Sequence, residues 1–515
     1  MNHREQPSPL NWDPAISPAS LFAGWPADAP LAALVSHPPP HDPAGRGHAH
    51  GESASPWARW SYFAAPDRLI HIPPGRPDAL EQIRTHLRLA PTEAQAIRTT
   101  EVGGRRDAAL DSAAPPFQAG WIMSLAYELG RDAEPHARHT PSPRALSGPT
   151  PWPAAALLRC DAVLAHDHAE GRWWITGCRH ERARLLGLAG RALANSPDPH
   201  SGRFHLGHLR SLTGQAAFES AVATVVELIH AGDIFQANIA HHLAGPFEGS
   251  SRGLFAAMTE RSRPWFGAYL ELAPVLDNTP ARAICSFSPE LFLAIDPVSG
   301  QAVARPMKGT RPLRDPTAHS DLSHSAKDRA ELNMIVDLMR NDLGRIARPG
   351  QVFVDDPRAL EPHGDADLGV LQGVATIRAA LRDGLSFADL LRAAFPPGSV
   401  TGAPKIRAMQ IIEQVEPLPR GPYCGCLGYA DDRGHSMLSV AIRTAMIQAP
   451  PAAQTAARSA TARPLFHRGS TITFPVGAGI VAQSDPRSEW EETLHKARAI
   501  LALADSASPA EHAHA

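Results

Sequence analysis

The chain has 515 residues, 43% hydrophobic and 20% charged, with a formal net charge of −3, a composition that suits a globular protein long enough to bury a core without staples. That near-neutral balance excludes a nucleic-acid binder working through a broad basic face, and no run approaches the roughly 18 apolar residues of a membrane-spanning helix. Five cysteines, few and odd in number, read as reduced thiols of a cytoplasmic protein, and residues 1–30 lack the basic and apolar segments of a secretory leader. Residues 1–55 are poor in structure signals. His37-Pro38-Pro39-Pro40-His41 and Gly47-His48-Ala49-His50 read as a disordered segment, because no carboxylate or cysteine stands at ligand spacing beside the imidazoles. The tail 506–515 reads the same way. Order is expected from Trp57, in an N-terminal region 56–200 and a second region 205–505. In the first, Arg59–Phe63 is strand-like and Phe117–Arg131 is a strand entering a helix. Ala162–His166 and Arg172–Thr176 flank Glu170-Gly171 as a hairpin, an arginine-rich helix runs to Asn195, and Pro141–Pro153 is a loop. In the second, Phe218, Val222, Val225 and Leu228 mark an amphipathic helix over 215–230. A strand follows at Ile234–Leu243, then helices at 327–346, 387–394 and 404–415. Ser439–Met446 and Thr471–Val476 read as a hairpin around a disordered Pro/Ala-rich insertion (449–464). Asp485-Pro486 starts a last helix that ends near Ala504.

Of 49 basic residues only four are lysine: Lys308, Lys327, Lys405 and Lys496, all after residue 300. Lysine can lose its proton or act as a compact point charge, which arginine cannot do, so these four are candidates for chemistry. Lys308 lies in Arg305-Pro306-Met307-Lys308-Gly309-Thr310-Arg311. Nearby cations there would depress its pKa, as a nucleophilic amine needs. Glu489, Glu492 and Lys496 share one face of the last helix, which follows the glycine-bearing strand end Gly477-Ala478-Gly479-Ile480. Asp328 and Glu331 share a face of the helix after Lys327. One carboxylate from each helix would suit a magnesium ion that also takes waters and an anionic substrate. The turn Phe395–Lys405 offers hydroxyls and a helix N-terminus to an anion, and Tyr423 and Arg443 are further candidates to bind a carboxylate.

Several segments resemble the chorismate-utilising enzymes: anthranilate synthase component I, aminodeoxychorismate synthase component I, and the isochorismate and salicylate synthases. They are Gly232-Asp233-Ile234-Phe235-Gln236-Ala237-Asn238, Ser288-Pro289-Glu290, Lys308-Gly309-Thr310-Arg311, Lys327-Asp328-Arg329-Ala330-Glu331, Arg340-Asn341-Asp342-Leu343-Gly344, Thr401-Gly402-Ala403-Pro404-Lys405, Ala441-Ile442-Arg443-Thr444 and Glu491-Glu492-Thr493. They stand in the family's order across 215–503. The resemblance implies an α/β fold of two large antiparallel sheets in a sandwich with outer helices, to which the N-terminal region adds strands. It implies Glu331 and Glu492 as magnesium ligands. Tyr423 and Arg443 would bind the enolpyruvyl carboxylate, Lys496 would stand near the ring carboxylate, and Thr401, Gly402, Gly477 and Gly479 would shape the pocket. Glu290 would be the general acid. Isochorismate and salicylate synthases resemble this chain except for a water-activating lysine at the position of Gln236, and anthranilate synthases usually have alanine at Lys308. The resemblance therefore points to the aminodeoxychorismate branch, with Lys308 as covalent nucleophile, serving 4-aminobenzoate and folate synthesis. Ammonia is expected from a separate glutamine amidotransferase subunit, because Cys424 and Cys426 do not lie in a nucleophile elbow. Gln372 stands where many relatives have histidine. Anthranilate synthase component I and a non-catalytic chorismate-binding scaffold are the alternatives.

Overall fold

Alternating apolar residues build two antiparallel sheets that face each other. The computed structural model describes residues 4–38, 55–87, 114–137, 151–194, 202–274, 279–364, 369–450 and 465–506. One sheet has 14 strands and the other 10. Tyr62, Val163, Leu270 and Ile284 from the first sheet meet Ile122, Leu158, Leu427 and Tyr429 from the second in a largely apolar layer between them. Stripes at helical spacing cover the outer faces. The helices Arg179–Ala194, Ser251–Ser262 and Pro486–Ser506 pack on the first sheet. Ala326–Gly344 packs on the second, with Phe387–Ala394 against it, while Lys405–Val415 lies on the Gln236–Ser250 strand of the first. The last helix is capped as expected, with the Ser488 N–H donating to Asp485 Oδ1 at 2.9 Å. Among the described residues no helix is long and apolar enough to cross a membrane.

Three expectations are corrected. Residues 4–38, expected to be disordered, are folded. Arg4–Pro9 pairs with Arg172–Cys178, and Ala32–Val35 lies between Trp60–Ala64 and Phe266–Leu272. Leu21, Phe22 and Trp25 are buried against Phe63, Trp173 and Phe255. Their partners are remote in sequence, so local patterning carries no sign of them. Next, the division near residue 200 drawn from local patterning is not a structural one, as the resemblance implied: Cys426–Asp431 pairs with Gly120–Leu125 in the second sheet. Finally, Ser439–Met446 is not one strand. Ser436–Val440 belongs to the second sheet and Thr444–Gln448 to the first, where it pairs with Thr471–Ile480. Between them Arg443 has φ 51°, a left-handed bend that turns the chain from one sheet to the other. The neighbouring chain segment crosses in the same place, from Arg282–Ser288 to Leu291–Asp296 through Pro289-Glu290. Most of the loop 141–153, the boundary at 197–201 and the insertion beyond residue 450 lie outside the described residues.

Lys405 is structural. Its Nζ donates to Asp342 Oδ2 at 2.6 Å and to the Ala394 carbonyl at 2.8 Å, with both side chains buried. Burial pushes Asp342 up to about 6 although Lys405 pulls it down. Lys405→Met should cost about 3–5 kcal/mol in chemical denaturation, because it strands a buried carboxylate. Adding Asp342→Leu should recover most of that loss. A single-variant loss under about 1 kcal/mol would show that the pair is not holding the two helices together.

Candidate active site

The two crossings run beside each other between the sheets: the Val440 N–H donates to the Glu290 carbonyl and the Phe287 N–H to the Arg443 carbonyl, each at 3.0 Å. Glu290 is buried, and burial pushes its carboxyl up to about 7, while Ser399, the Lys308 charge and the Met307 N–H pull it down. The Arg443 guanidinium makes no hydrogen bond or ion pair with a described residue, which leaves its fork available to an anion.

Lys308 lies on Met307–Pro312, which pairs with Val370–Leu381 at one end of the second sheet. The next residue, Gly309, has φ +80°, and a Cβ there would sit 2.9 Å from Asp328 Cβ, so this turn against the helix Ala326–Gly344 requires glycine. Lys308 reaches across to the first sheet. A Cβ on Gly479 would lie 3.1 Å from Lys308 Nζ and 2.9 Å from Gln236 Nε2, so the amine and the amide meet over a bare glycine. Burial lowers the Lys308 pKa, and Glu331 opposes this while Lys496 reinforces it. The flanking arginines are not the cause that was expected. Arg305 is held by Glu361 and Thr376, and Arg311 by Asp328 at 2.9 Å. Gln236 is fully buried, and neither its Nε2 nor its Oε1 has a partner. Such an orphaned amide marks a place where a ligand or water completes the bonding.

Partners also decide between the carboxylates that helical spacing left equivalent. Asp328 is taken by Arg311, and Glu489 accepts from Ser484 Oγ at 2.6 Å. Among the described residues Glu331 has only Lys327 nearby, at 3.9 Å, and Glu492 pairs with Lys496; Lys308, Lys327 and Glu492 all act on Glu331. Burial raises the Glu331 pKa, with Lys308 and Lys327 opposing and Asp328 and Glu492 adding to it. Burial also pushes Glu492 up, but Lys496, Lys308 and Lys327 outweigh it and the net direction is down. Lys496 Nζ donates to the Gly477 carbonyl at 2.8 Å and pairs with Glu492 at 2.7 Å. Among the described residues no three His, Cys, Asp or Glu side chains form a metal-holding group. A cation between Glu331 and Glu492 would have to complete its shell with oxygens from outside the protein.

Tyr423 is buried, and its hydroxyl would lie 3.0 Å from a Cβ on Gly477. Asn238 Nδ2 lies equally near that point. Asn238 is a pocket residue that sequence reasoning did not single out. Its signal was its place two residues after Gln236, on the same face of a strand. Thr401 is fully buried, and its hydroxyl donates to the Pro397 carbonyl at 2.8 Å. Gly402 lies so close to the Gln236 carbonyl that a Cβ would be 2.2 Å away. Both therefore face the Gln236 strand through backbone. Gln372 donates to Thr310 Oγ1 at 3.3 Å, and its Oε1 has no partner. Arg420 was also missed. Fully buried, it donates to the Val400 and Asn238 carbonyls at 2.9 and 2.6 Å and is clasped by Glu416, so it ties the Thr401 turn to the Gln236 strand. A cavity of about 340 Å³ beside Arg420, lined by Tyr127, Phe218 and Met409 among others, holds none of the expected site residues.

The sequence pattern of the chorismate binding enzyme family matches residues 76–502. An aminodeoxychorismate synthase component 1 from Salmonella typhimurium is 35% identical over 392 residues, covering 75% of this chain and 77% of that one. An anthranilate synthase component 1 from Acinetobacter calcoaceticus is 31% identical over 408 residues, 76% of each chain. The crystal structure of anthranilate synthase component I from Streptococcus pneumoniae superposes with a TM-score of 0.64 at 22% identity, covering 89% of this chain and 95% of that one. The menaquinone-specific isochorismate synthase from Escherichia coli gives 0.62 at 16% identity, covering 96% and 94%. The structural likenesses carry the fold of two antiparallel sheets with outer helices.

Proposed function

The chain belongs to the chorismate-binding enzymes, and from that membership we propose that it is the synthase component of an aminodeoxychorismate synthase. It would convert chorismate and ammonia to 4-amino-4-deoxychorismate, for 4-aminobenzoate and folate synthesis. The observation that carries this reading is the Lys308 amine, held in a cleft against Gln236 over Gly479 and close enough to Glu290 for each to shift the other's pKa. An amine whose charge burial disfavours, near a carboxyl that burial keeps protonated more readily, suits addition to the ring with loss of a hydroxyl. Glutamine at 236 cannot act as the base for water addition.

Two carboxylates, Glu331 and Glu492, suit Mg²⁺, a hard cation usually held by one or two carboxylates plus waters and substrate oxygens. When bound, the metal would neutralise the ring carboxylate of chorismate. Arg443 and Tyr423 hold the enolpyruvyl carboxylate, and Lys496 adds a cation near the ring carboxylate. Thr401, Gly402, Gly477 and Gly479 shape the walls. Glu290 protonates the C4 hydroxyl, which leaves as water while the Lys308 nitrogen bonds to C2 and both conjugated ring double bonds shift by one position. Ammonia then bonds to C4, both double bonds return, and the C2–N bond breaks as Lys308 departs with a proton. Two allylic steps replace one difficult displacement. Ammonia is taken to come from a separate glutamine amidotransferase subunit in the cytoplasm.

The test is product analysis of the purified chain with chorismate, Mg²⁺ and ammonium. A product that an added lyase converts to 4-aminobenzoate supports the reading. Anthranilate would assign the chain to the other branch, and no loss of chorismate at all would favour a scaffold. The protonation states make a further prediction. Glu290 must be protonated to act, and its acid form is lost as pH rises through about 7. Lys308 must be unprotonated, which fails at low pH. A bell-shaped kcat/KM profile is expected, falling about tenfold per pH unit on its alkaline limb. In Glu290→Gln that limb should vanish along with most of the activity. A native profile flat from pH 6 to 9 would remove Glu290 as the acid.

A further inference from the structure

We propose that Lys327 is the displaceable counter-cation of the Glu331–Glu492 pair, neutralising it when no metal is bound and swinging out when a divalent ion enters. This rests on the magnesium reading above. Three lysines surround the pair, and two have fixed places. Lys496 is anchored twice, on Glu492 and on the Gly477 carbonyl. Lys308 is inside the cleft beside Gln236. Lys327 alone is loose. Its Nζ is 3.9 Å from Glu331 Oε1, beyond hydrogen-bond distance, and its side chain is 62% exposed against 17% for Glu331. Its charge nevertheless reaches Glu492 and Glu489 on the helix opposite.

The position is a poor one for a cation on structural grounds. Lys327 is in the first turn of Ala326–Gly344, where the helix dipole disfavours positive charge. It precedes Glu331 by four residues, the weaker order for such a pair. One residue on, the chain uses arginine for a fixed contact, Arg311 on Asp328 at 2.9 Å. A chain with 45 arginines places one of its four lysines at 327. The chemical difference explains the choice. An arginine fork would clasp Glu331 with two hydrogen bonds and compete with the metal, whereas an ammonium on a flexible stem makes one weak contact and leaves.

The experiment is calorimetric titration of the full chain with Mg²⁺ alone, without chorismate, at low ionic strength. Native protein, Lys327→Gln, Lys327→Arg and Glu331→Gln are compared, each checked for native thermal unfolding. Lys327→Gln should bind Mg²⁺ about three- to tenfold more tightly and Lys327→Arg several-fold more weakly. Glu331→Gln should lose binding. If Glu331→Gln loses binding while Lys327→Gln stays within twofold of native or binds more weakly, the counter-cation role is overturned and the metal assignment stands. The same holds if Lys327→Arg binds as tightly as native. If Glu331→Gln binds like the native chain, the metal assignment falls and takes the proposal with it.

Discussion

Lys308→Met should lower ammonia-dependent amination of chorismate by at least about 100-fold, the usual scale for losing a nucleophile or a positioned acid–base group. Lys308→Arg should be equally damaging. Its charge is conserved, but a guanidinium cannot supply a free electron pair at any working pH. That equality separates nucleophilic from electrostatic function, since a lysine that merely attracted the anionic substrate would be replaced well by arginine. Native protein given chorismate and Mg²⁺ without ammonia, then quenched in acid, should carry an adduct of chorismate minus water on the peptide containing Lys308. Retention of native rate within about threefold in Lys308→Met, with no adduct, would remove Lys308 from the covalent role. The cleft supports this use of lysine because burial already disfavours its charged form.

The second large effect is loss of the fold in mild acid. Burial lowers the pKa values of eight described histidines, His435 among them, and seven fall far. His37, His71, His166 and His241 fall to about 4, and His168, His242 and His363 to about 3. Depressed imidazoles bind fewer protons folded than unfolded. Their contribution is therefore complete above the unfolded value near 6.5 and is lost as pH falls toward 4. Each costs up to about 1.4 kcal/mol per pH unit in that window. Glu290, raised to about 7, and Asp342, raised to about 6, act in the opposite sense and offset two of the seven. At pH 5.5 unfolding should take up about four to five protons per chain, seen as a steep fall of Tm with pH. That slope would exhaust a typical stability of about 5–15 kcal/mol within two pH units of neutrality. Uptake of fewer than about two protons would mean that these imidazoles are hydrated or charged in the native protein.

Elements with their own periodicity were legible. The helices Gln215–His230 and Phe387–Ala394 have the expected bounds, and the hairpin Ala162–Asp167 with Arg172–Cys178 forms around Glu170-Gly171. Each carries its reason locally, as an apolar stripe, a capping serine or a turn. The strand Ala32–Val35 was missed because its burial depends on Tyr62, Phe63 and Leu270, none of which is near in sequence. The break at Arg443 was missed because one left-handed residue in an apolar run leaves no compositional trace.

By itself the sequence determined the kinds of chemistry available. Residue type sets protonation, so four lysines among 49 cations, and a glutamine rather than a lysine at 236, constrain the reaction before any coordinate is known. Helical and strand spacing also determined which side chains share a face. Only the tertiary structure decided which partner each member of a face takes. Asp328 goes to Arg311 and Glu331 keeps the loose Lys327, while Glu489 takes Ser484 and Glu492 pairs with Lys496. Lys405 and Lys308 are both lysines before residue 410, but Asp342 holds one in the core while the other opens onto Gly479. Hydrogen bonds and burial between elements remote in the chain set those differences, and one-dimensional order does not encode them.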